Sequence, residues 1–197
     1  MTNTVSNQRK RLLQFFFLLL IVAIIVVWNV FSTYTNSSSV KKEKYLLRFN
    51  LNELQQGEVR IVQQNGLPIV IMYRTKQDLK DLLAIRSFLA DPESDKSNQP
   101  DFAKNYHRSL KPEFFIAYAV TSKRGITVNY RLKNYKNAQI PGQQWYGGFT
   151  EERQTGYVYD KAGRIYKQPG LNLDVPNYKI TPDNQLYVYT LKELDFD

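Results

Sequence analysis

The sequence predicts a mainly β protein: an antiparallel β head domain with one short helix, tethered to an N-terminal transmembrane helix. Three observations point there. Leu12 to Phe31, "LLQFFFLLLIVAIIVVWNVF", is a twenty-residue run interrupted only by Gln14 and Asn29. From Tyr45 onward the apolar residues fall into short runs separated by turn signals such as Asn65-Gly66 and Pro182-Asp183-Asn184. Fourteen Tyr and eleven Phe supply the aromatic side chains that pleated surfaces favour.

The apolar run comes first in the chain. As a helix it would cross a hydrocarbon core of roughly 30 Å, with Trp28 near one membrane interface. A cleaved signal peptide has a shorter apolar region followed by small residues, and Ser32-Thr33-Tyr34 is a poor cleavage site. A buried core helix is the other reading, and Arg9-Lys10-Arg11 abutting the run speaks against it. Lys41, Lys42 and Lys44 follow only at a distance. By the positive-inside rule residues 1–11 are then cytoplasmic, 12–31 span the membrane, and the head lies in the periplasm. The expected location is a bacterial inner membrane, crossed once. Residues 32–45, beginning "STYTNSSSVKKEK", read as a flexible neck, either a stalk or a hinge.

The head, residues 46–197, opens its β pattern with "EVRIVQQ", whose Val59 and Ile61 share one phase. Asn65-Gly66 turns the chain into "LPIVIMYR", a buried strand with Pro68 near its start. Lys76 to Leu89 reads as a helix on the stripe Leu79, Leu82, Leu83, Ile85 and Arg86. Asp91 to Pro112 is a polar loop. "FIAYAVTSKRGITVNY", Phe115 to Tyr130, is a strand, a tight turn and a second strand. "WYGGFT" precedes another turn, "GYVYD" and "GRIYK" form a hairpin around Lys161-Ala162-Gly163, and "YKITPDNQLYVYTL" closes as two strands.

Composition narrows the chemistry. The formal charge is +9, of which residues 1–45 carry +5 and the remaining 152 residues +4. No dense basic patch interleaved with aromatics stands out, so nucleic acid is not an expected partner. A solvated basic surface is the plain reading, with attraction to anionic lipid or an acidic partner left open. Cysteine is absent, which excludes thiolate metal sites and Cys nucleophiles. The single histidine, His107, sits in the polar loop beside Ser109 and lacks the arrangement a catalytic base needs. Glu151 and Glu152 are adjacent, so on a strand they face opposite ways, and a solvated loop is expected there. No phosphate loop, zinc signature or nucleophile elbow is present.

Several segments, in order, resemble the iron–sulfur (Rieske) subunit of cytochrome bc complexes, ubiquinol–cytochrome c reductase. "GEVRIVQQNGLPIVIMYRT" looks like that family's hairpin ending in Arg-Thr. "LADPESDKSNQPDFAKNYHRSLKPEFFIAYAV" looks like the loop leading to its first cluster motif. "YVYDKAGRIYKQPGLNLDVPNYKI" is similar to its ending, with Asp-x-x-Gly-Arg and Leu-Asn-Leu-x-Val-Pro. The family holds a 2Fe–2S cluster in two loops, Cys-Thr-His-Leu-Gly-Cys and Cys-Pro-Cys-His-Gly, with two Cys on one iron and two His on the other.

Laid on this chain, the first motif puts Thr121 and Lys123 at the ligand Cys and His, Gly125 at the matching Gly, and Ile126 at the disulfide Cys. The second, anchored on Gly156, puts Glu152 and Thr155 at the ligands and Gln154 at the disulfide Cys, in a register free to slip by one residue. Thr and Lys cannot replace a thiolate and an imidazole on iron. Tyr157 and Tyr159 stand where the family's cluster-tuning Ser and Tyr would, with Tyr159 read as packing, and Gln168-Pro169-Gly170 shortens a covering loop.

The resemblance therefore implies a Rieske-like head (degenerate cluster loops at about 113–160) with the 2Fe–2S cluster absent and no catalytic or metal site. It also implies a non-catalytic subunit or assembly partner of a respiratory cytochrome bc-type complex, touching cytochrome b or other subunits. The eight loop positions named above become candidate protein contacts. Two alternatives stand beside it: a membrane-anchored periplasmic binding module for another envelope partner, and an active electron-transfer subunit.

Overall fold

A computed structural model describes residues 3–37, 45–136, 140, 145–152 and 156–189. The chain divides into two units, residues 1–43 and 44–197. The first is the helix α1, Asn3–Ser37. It therefore continues through the first residues of the expected neck, while residues 38–44 lie outside the described part. Its apolar side chains from Leu13 to Trp28 are solvent-exposed in the isolated chain. Consecutive described side chains in this run extend from Leu13 to Asn29. Among the described residues no helix is long and apolar enough to cross a membrane.

The second unit is mainly β, built from three antiparallel three-stranded sheets. In chain order the strands are β1 (Tyr45–Asn50), β2 (Val59–Gln64), β3 (Leu67–Tyr73) and β4 (Phe114–Tyr118). They continue with β5 (Val128–Arg131), β6 (Gly148–Glu151), β7 (Val158–Tyr159), β8 (Tyr178–Ile180) and β9 (Gln185–Tyr189). The sheets are ordered β1-β9-β8, β2-β3-β4 and β5-β6-β7.

The β2–β3 hairpin turns at Asn65 and Gly66, with φ of +50° and +80°. Both central residues in the left-handed region are what a tight, strand-matched turn demands, which is why Asn-Gly signals it so well. β3 is the central strand of its sheet, and Ile69 to Met72 are fully buried on both faces. That burial explains its unbroken apolar run, in contrast to β2, where alternation survives. On β2 it is Val59 and Val62 that pack against the core, while Ile61 is 39% exposed. Val59 and Val62 are of opposite phase, so the phase shared by Val59 and Ile61 does not mark a single buried face.

Helix α2, Lys76–Ala84, starts at a reciprocal cap. Thr75 N donates to Asp78 Oδ2 (2.7 Å) and Asp78 N donates to Thr75 Oγ1 (3.0 Å), satisfying two otherwise orphaned donors. The helix ends five residues before the expected Leu89, and a 3-10 turn, Arg86–Phe88, follows. Its inward stripe is Asp78, Leu82, Ile85 and Leu89; Leu83 is 49% exposed and Arg86 is also outside. The tighter turn rotates Leu89 onto Tyr166, with which it forms a β-bridge.

One core joins all three sheets, with Ile71, Phe115, Ile116, Phe149, Leu186 and Val188 at its centre. A smaller apolar cluster of Ile85, Leu89, Trp145, Val158 and Tyr166 lies below the end of α2. The "GRIYK" strand does not form. Ile165 and Tyr166 make only isolated bridges, because Asp160 organises that segment as a side-chain-bonded turn.

Candidate functional site

The two candidate loops lie side by side, each leaving a buried strand. Past β4 the chain stays paired, with Val120 bridging Thr127 and Val128 N donating to Ala119 O (2.9 Å). Thr121 then closes the first loop with its own backbone and hydroxyl. Its N–H donates to Ile126 O (2.9 Å), its carbonyl accepts from Gly125 N (2.9 Å), and its Oγ1 accepts from Ile126 N (3.1 Å). Gly125 has φ +59° with open space where a Cβ would sit, so the turn needs its backbone freedom rather than its small size. Thr121 is buried and Ile126 half-buried, while Lys123 and Gly125 are exposed.

Ser122 pins this loop from below. Its hydroxyl lies 2.7 Å from Asn172 O and 2.9 Å from Asp174 Oδ1. Burial holds the Asp174 carboxyl above the usual carboxylate range, against the opposing hydrogen bonds from Ser122 and Asn98.

The second loop leaves β6 and is stitched to the first through the main chain, Glu152 N donating to Thr127 O (2.9 Å). Glu151, expected in a solvated loop, instead has a fully buried side chain. It receives a hydrogen bond from the guanidinium of Arg124 on the first loop. The guanidinium carbon sits 4.2 Å from the centroid of the Tyr157 ring, so one cation is gripped by a carboxylate and an aromatic face together. The bond it donates to Glu151 raises the Arg124 pKa above its ordinary value. At the far end of the loop, Gln168 Nε2 donates to Gly156 O (2.6 Å), while Gln168 Oε1 accepts from Val158 N (3.1 Å).

Of the eight expected positions, the fold brings Thr121, Lys123, Gly125, Ile126, Glu152 and Gly156 into the two loops. Gln154 and Thr155 lie outside the described residues. Glu152 is exposed and donates only its backbone N–H to the first loop. The side chains that join the loops are Arg124, which the sequence does not single out, Glu151, expected in a solvated loop, and Tyr157, expected only at the family's Ser position. A signal was available: Phe149 is wholly buried on β6, and a period of two puts Glu151 on the same face. Tyr159 is buried as expected for a packing residue, and burial drives its hydroxyl pKa upward. Among the described residues no group of three or more His, Cys, Asp or Glu could hold a metal ion.

Beneath the loops is a buried polar frame. Asp160 Oδ2 accepts from Arg164 Nε (2.7 Å), and its Oδ1 accepts the N–H groups of Ala162 and Arg164 (2.8 Å each). Arg164 Nη2 goes on to Leu82 O (2.6 Å), tying this turn to α2. Arg108, also fully buried, donates to Gln99 Oε1 (2.9 Å) and to the carbonyls of Ala162 (3.2 Å) and Gly163 (3.3 Å). Burial pulls its pKa down to about 10. Asn172 accepts from Ile165 N (2.8 Å) and donates to Asp91 O (2.9 Å) and Ser94 Oγ (2.8 Å). Asp91 in turn caps its own loop through Asp95 N (2.8 Å) and Ser97 Oγ (2.9 Å).

His107 belongs to this frame. Its Nδ1 is 2.9 Å from Ser109 Oγ, which donates its hydrogen to Lys111 O (2.9 Å) and accepts from Arg74 Nη2 (2.7 Å). Nδ1 therefore carries the proton of the neutral ring. Burial, reinforced by the charges of Arg74 and Arg164, lowers its pKa to about 4. These groups sit in the Asp-Pro, Arg-Ser, Asp-x-x-Gly-Arg and Leu-Asn-Leu segments of this chain, on which the resemblance was read.

The ubiquinol-cytochrome c reductase iron-sulfur subunit of Allochromatium vinosum is 28% identical over 141 residues, 71% of this chain and 67% of that protein. The chain resembles Rieske subunits of cytochrome bc complexes. The mitochondrial cytochrome b-c1 complex Rieske subunits of Bos taurus and Mus musculus are each 27% identical over 165 residues, 81% of this chain. The chain spans about half the length of these mitochondrial relatives, 52% in each case. No protein-family model matches it.

Proposed function

We propose that the chain is a cluster-less, non-catalytic Rieske-like subunit or assembly partner of a cytochrome bc-type membrane complex. The observation that carries this reading is the Arg124–Glu151 pair, set between two loops of a chain without cysteine. The residues present do not fit a 2Fe–2S cluster. Thr121 Oγ1 is committed to the turn, Lys123 is exposed, and a guanidinium occupies the gap between the loops. A fixed cation repels iron rather than ligating it, and the one histidine serves the buried frame. No electron-transfer step runs through this tip. Its part is shape and contact, with cytochrome b or a neighbouring subunit as the surface it meets.

The reading also takes Leu12–Phe31 as a single membrane anchor with residues 1–11 cytoplasmic and the head periplasmic. Two facts support it: the uninterrupted helix through this run and the exposure of every described apolar side chain on it. A helix hydrophobic all round is matched by lipid.

Purification of the full chain from its native membrane in mild detergent, with identification of co-eluting chains, tests the assignment. Cytochrome b is expected among them. Its reproducible absence, with a different envelope protein retained, would transfer the chain to the binding-module reading.

A further inference from the structure

The outer face of the β1-β9-β8 sheet has a composition the bc-complex reading does not use. Strand alternation sends Leu47, Phe49, Leu186 and Val188 inward to the core. The opposite face carries Tyr45, Arg48, Lys179, Tyr187 and Tyr189, which the pairing Tyr45↔Tyr189, Arg48↔Tyr187 and Lys179↔Tyr187 places side by side. The remaining outward pair is the two amides Asn50 and Gln185. Among these residues there is no carboxylate; Asp183, on the β8–β9 turn, is the acid that senses Arg48.

The cations rest on aromatic rings instead of on acids. Lys179 Nζ lies 5.3 Å from the Tyr45 ring centroid and 5.0 Å from that of Tyr187, and donates to the Tyr45 hydroxyl (3.3 Å). The Arg48 guanidinium carbon is 5.5 Å from the Tyr187 centroid. Ring faces leave a cation's positive charge uncancelled toward solvent, whereas a carboxylate would neutralise it. Tyrosines with an apolar body and polar tip, interleaved with Lys and Arg, are the chemistry of a membrane–water interface. Tyr45, the first of these residues, follows the end of α1 by eight positions, and Lys41, Lys42 and Lys44 lie in between.

We propose that this sheet face binds anionic phospholipid headgroups, its two cations meeting phosphate and its three tyrosines lying at headgroup depth. The proposal rests on the anchor reading above, which would bring the chain to a bilayer. Such a face would restrain the head at the membrane surface by a charge-dependent contact that high salt releases.

The test uses the full chain reconstituted into vesicles of phosphatidylcholine alone or mixed with phosphatidylglycerol. Acylation of lysines by a water-soluble ester is read by mass spectrometry, with exposed Lys123 as the internal reference. Lys179 labelling should slow about fivefold relative to Lys123 in the anionic vesicles, the gain expected for one basic residue near an anionic surface. High salt should abolish the protection and Arg48→Gln should reduce it. Equal labelling of Lys179 in the two lipids overturns the proposal, as does protection in native membranes but not in protein-free anionic vesicles, which assigns the face to a protein partner. Alkaline extraction of the same vesicles reports the anchor separately: release of the chain at high pH defeats the anchor reading, while the Lys179 ratio still decides the sheet face.

Discussion

Arg124 and Glu151, 27 positions apart, meet across the two tip loops with the guanidinium lying on the ring of Tyr157. The carboxylate is fully buried and the guanidinium partly exposed, so the pair is a one-sided clamp with its charge neutralised at the surface. Arg124→Ala takes the cation from a fully buried carboxylate, so it should lower the melting temperature and accelerate amide exchange at Thr121, Ile126 and Glu152. Arg124→Lys should restore only part of the protection, since an ammonium cannot stack its plane on Tyr157 while bonding Glu151. Unchanged exchange in Arg124→Ala would show that the backbone alone holds the loops together.

The Asp160–Arg164 pair is a stronger fixture, because both side chains are wholly buried. Removing one partner leaves an uncompensated charge, so Asp160→Asn should cost about 3–5 kcal/mol in urea unfolding. Two backbone donors, Ala162 N and Arg164 N, would lose their charged acceptor as well.

His107 should give the head an acid-sensitive component of stability. Its folded pKa, about 4, lies below the ordinary value of 6.5. The unfolded chain therefore binds a proton that the folded ring does not, and stability falls as pH drops from about 6.5 to about 4. Urea midpoints measured across that interval should show the decline, and His107→Gln should flatten it.

Two glycines separate close approach from backbone conformation. A Cβ on Gly148 would lie 2.1 Å from Tyr159 O, so Gly148→Ala should prevent β6–β7 pairing and yield little folded protein. A Cβ on Gly125 meets nothing within 4 Å, so Gly125→Ala should carry only the left-handed backbone penalty of about 1–2 kcal/mol. Circular dichroism and thermal melts of the two variants distinguish the cases.

Much of the head was legible because its turns carry their own chemistry. Asn65-Gly66, the Thr121–Ile126 turn and Pro182-Asp183-Asn184 each bend the chain through local residues, and strands flank each. The boundary of α2 was not legible, since Leu89 is drawn to Tyr166, 77 positions away, by a contact no local pattern records. "GRIYK" was expected as a strand, yet Arg164 N is taken by the Asp160 carboxylate and Ile165 N by the side chain of Asn172. Glu151 was read as solvated because a carboxylate in a polar stretch usually is, and its partner sits in the other loop. The eight cluster-loop positions were reachable only through the resemblance, because nothing in the local pattern of Thr121, Lys123 or Glu152 marks them out.

Non-haem iron content and low-temperature EPR of the full chain, purified from native membranes and reduced with dithionite, decide whether the tip holds a cluster. A cluster-less tip gives no stoichiometric non-haem iron and no Rieske-type signal from this chain, while cytochrome b co-elutes. A Rieske signal with two iron atoms per chain would contradict it, because no arrangement of Thr121, Lys123, Arg124 and Glu151 supplies the ligands such a cluster requires.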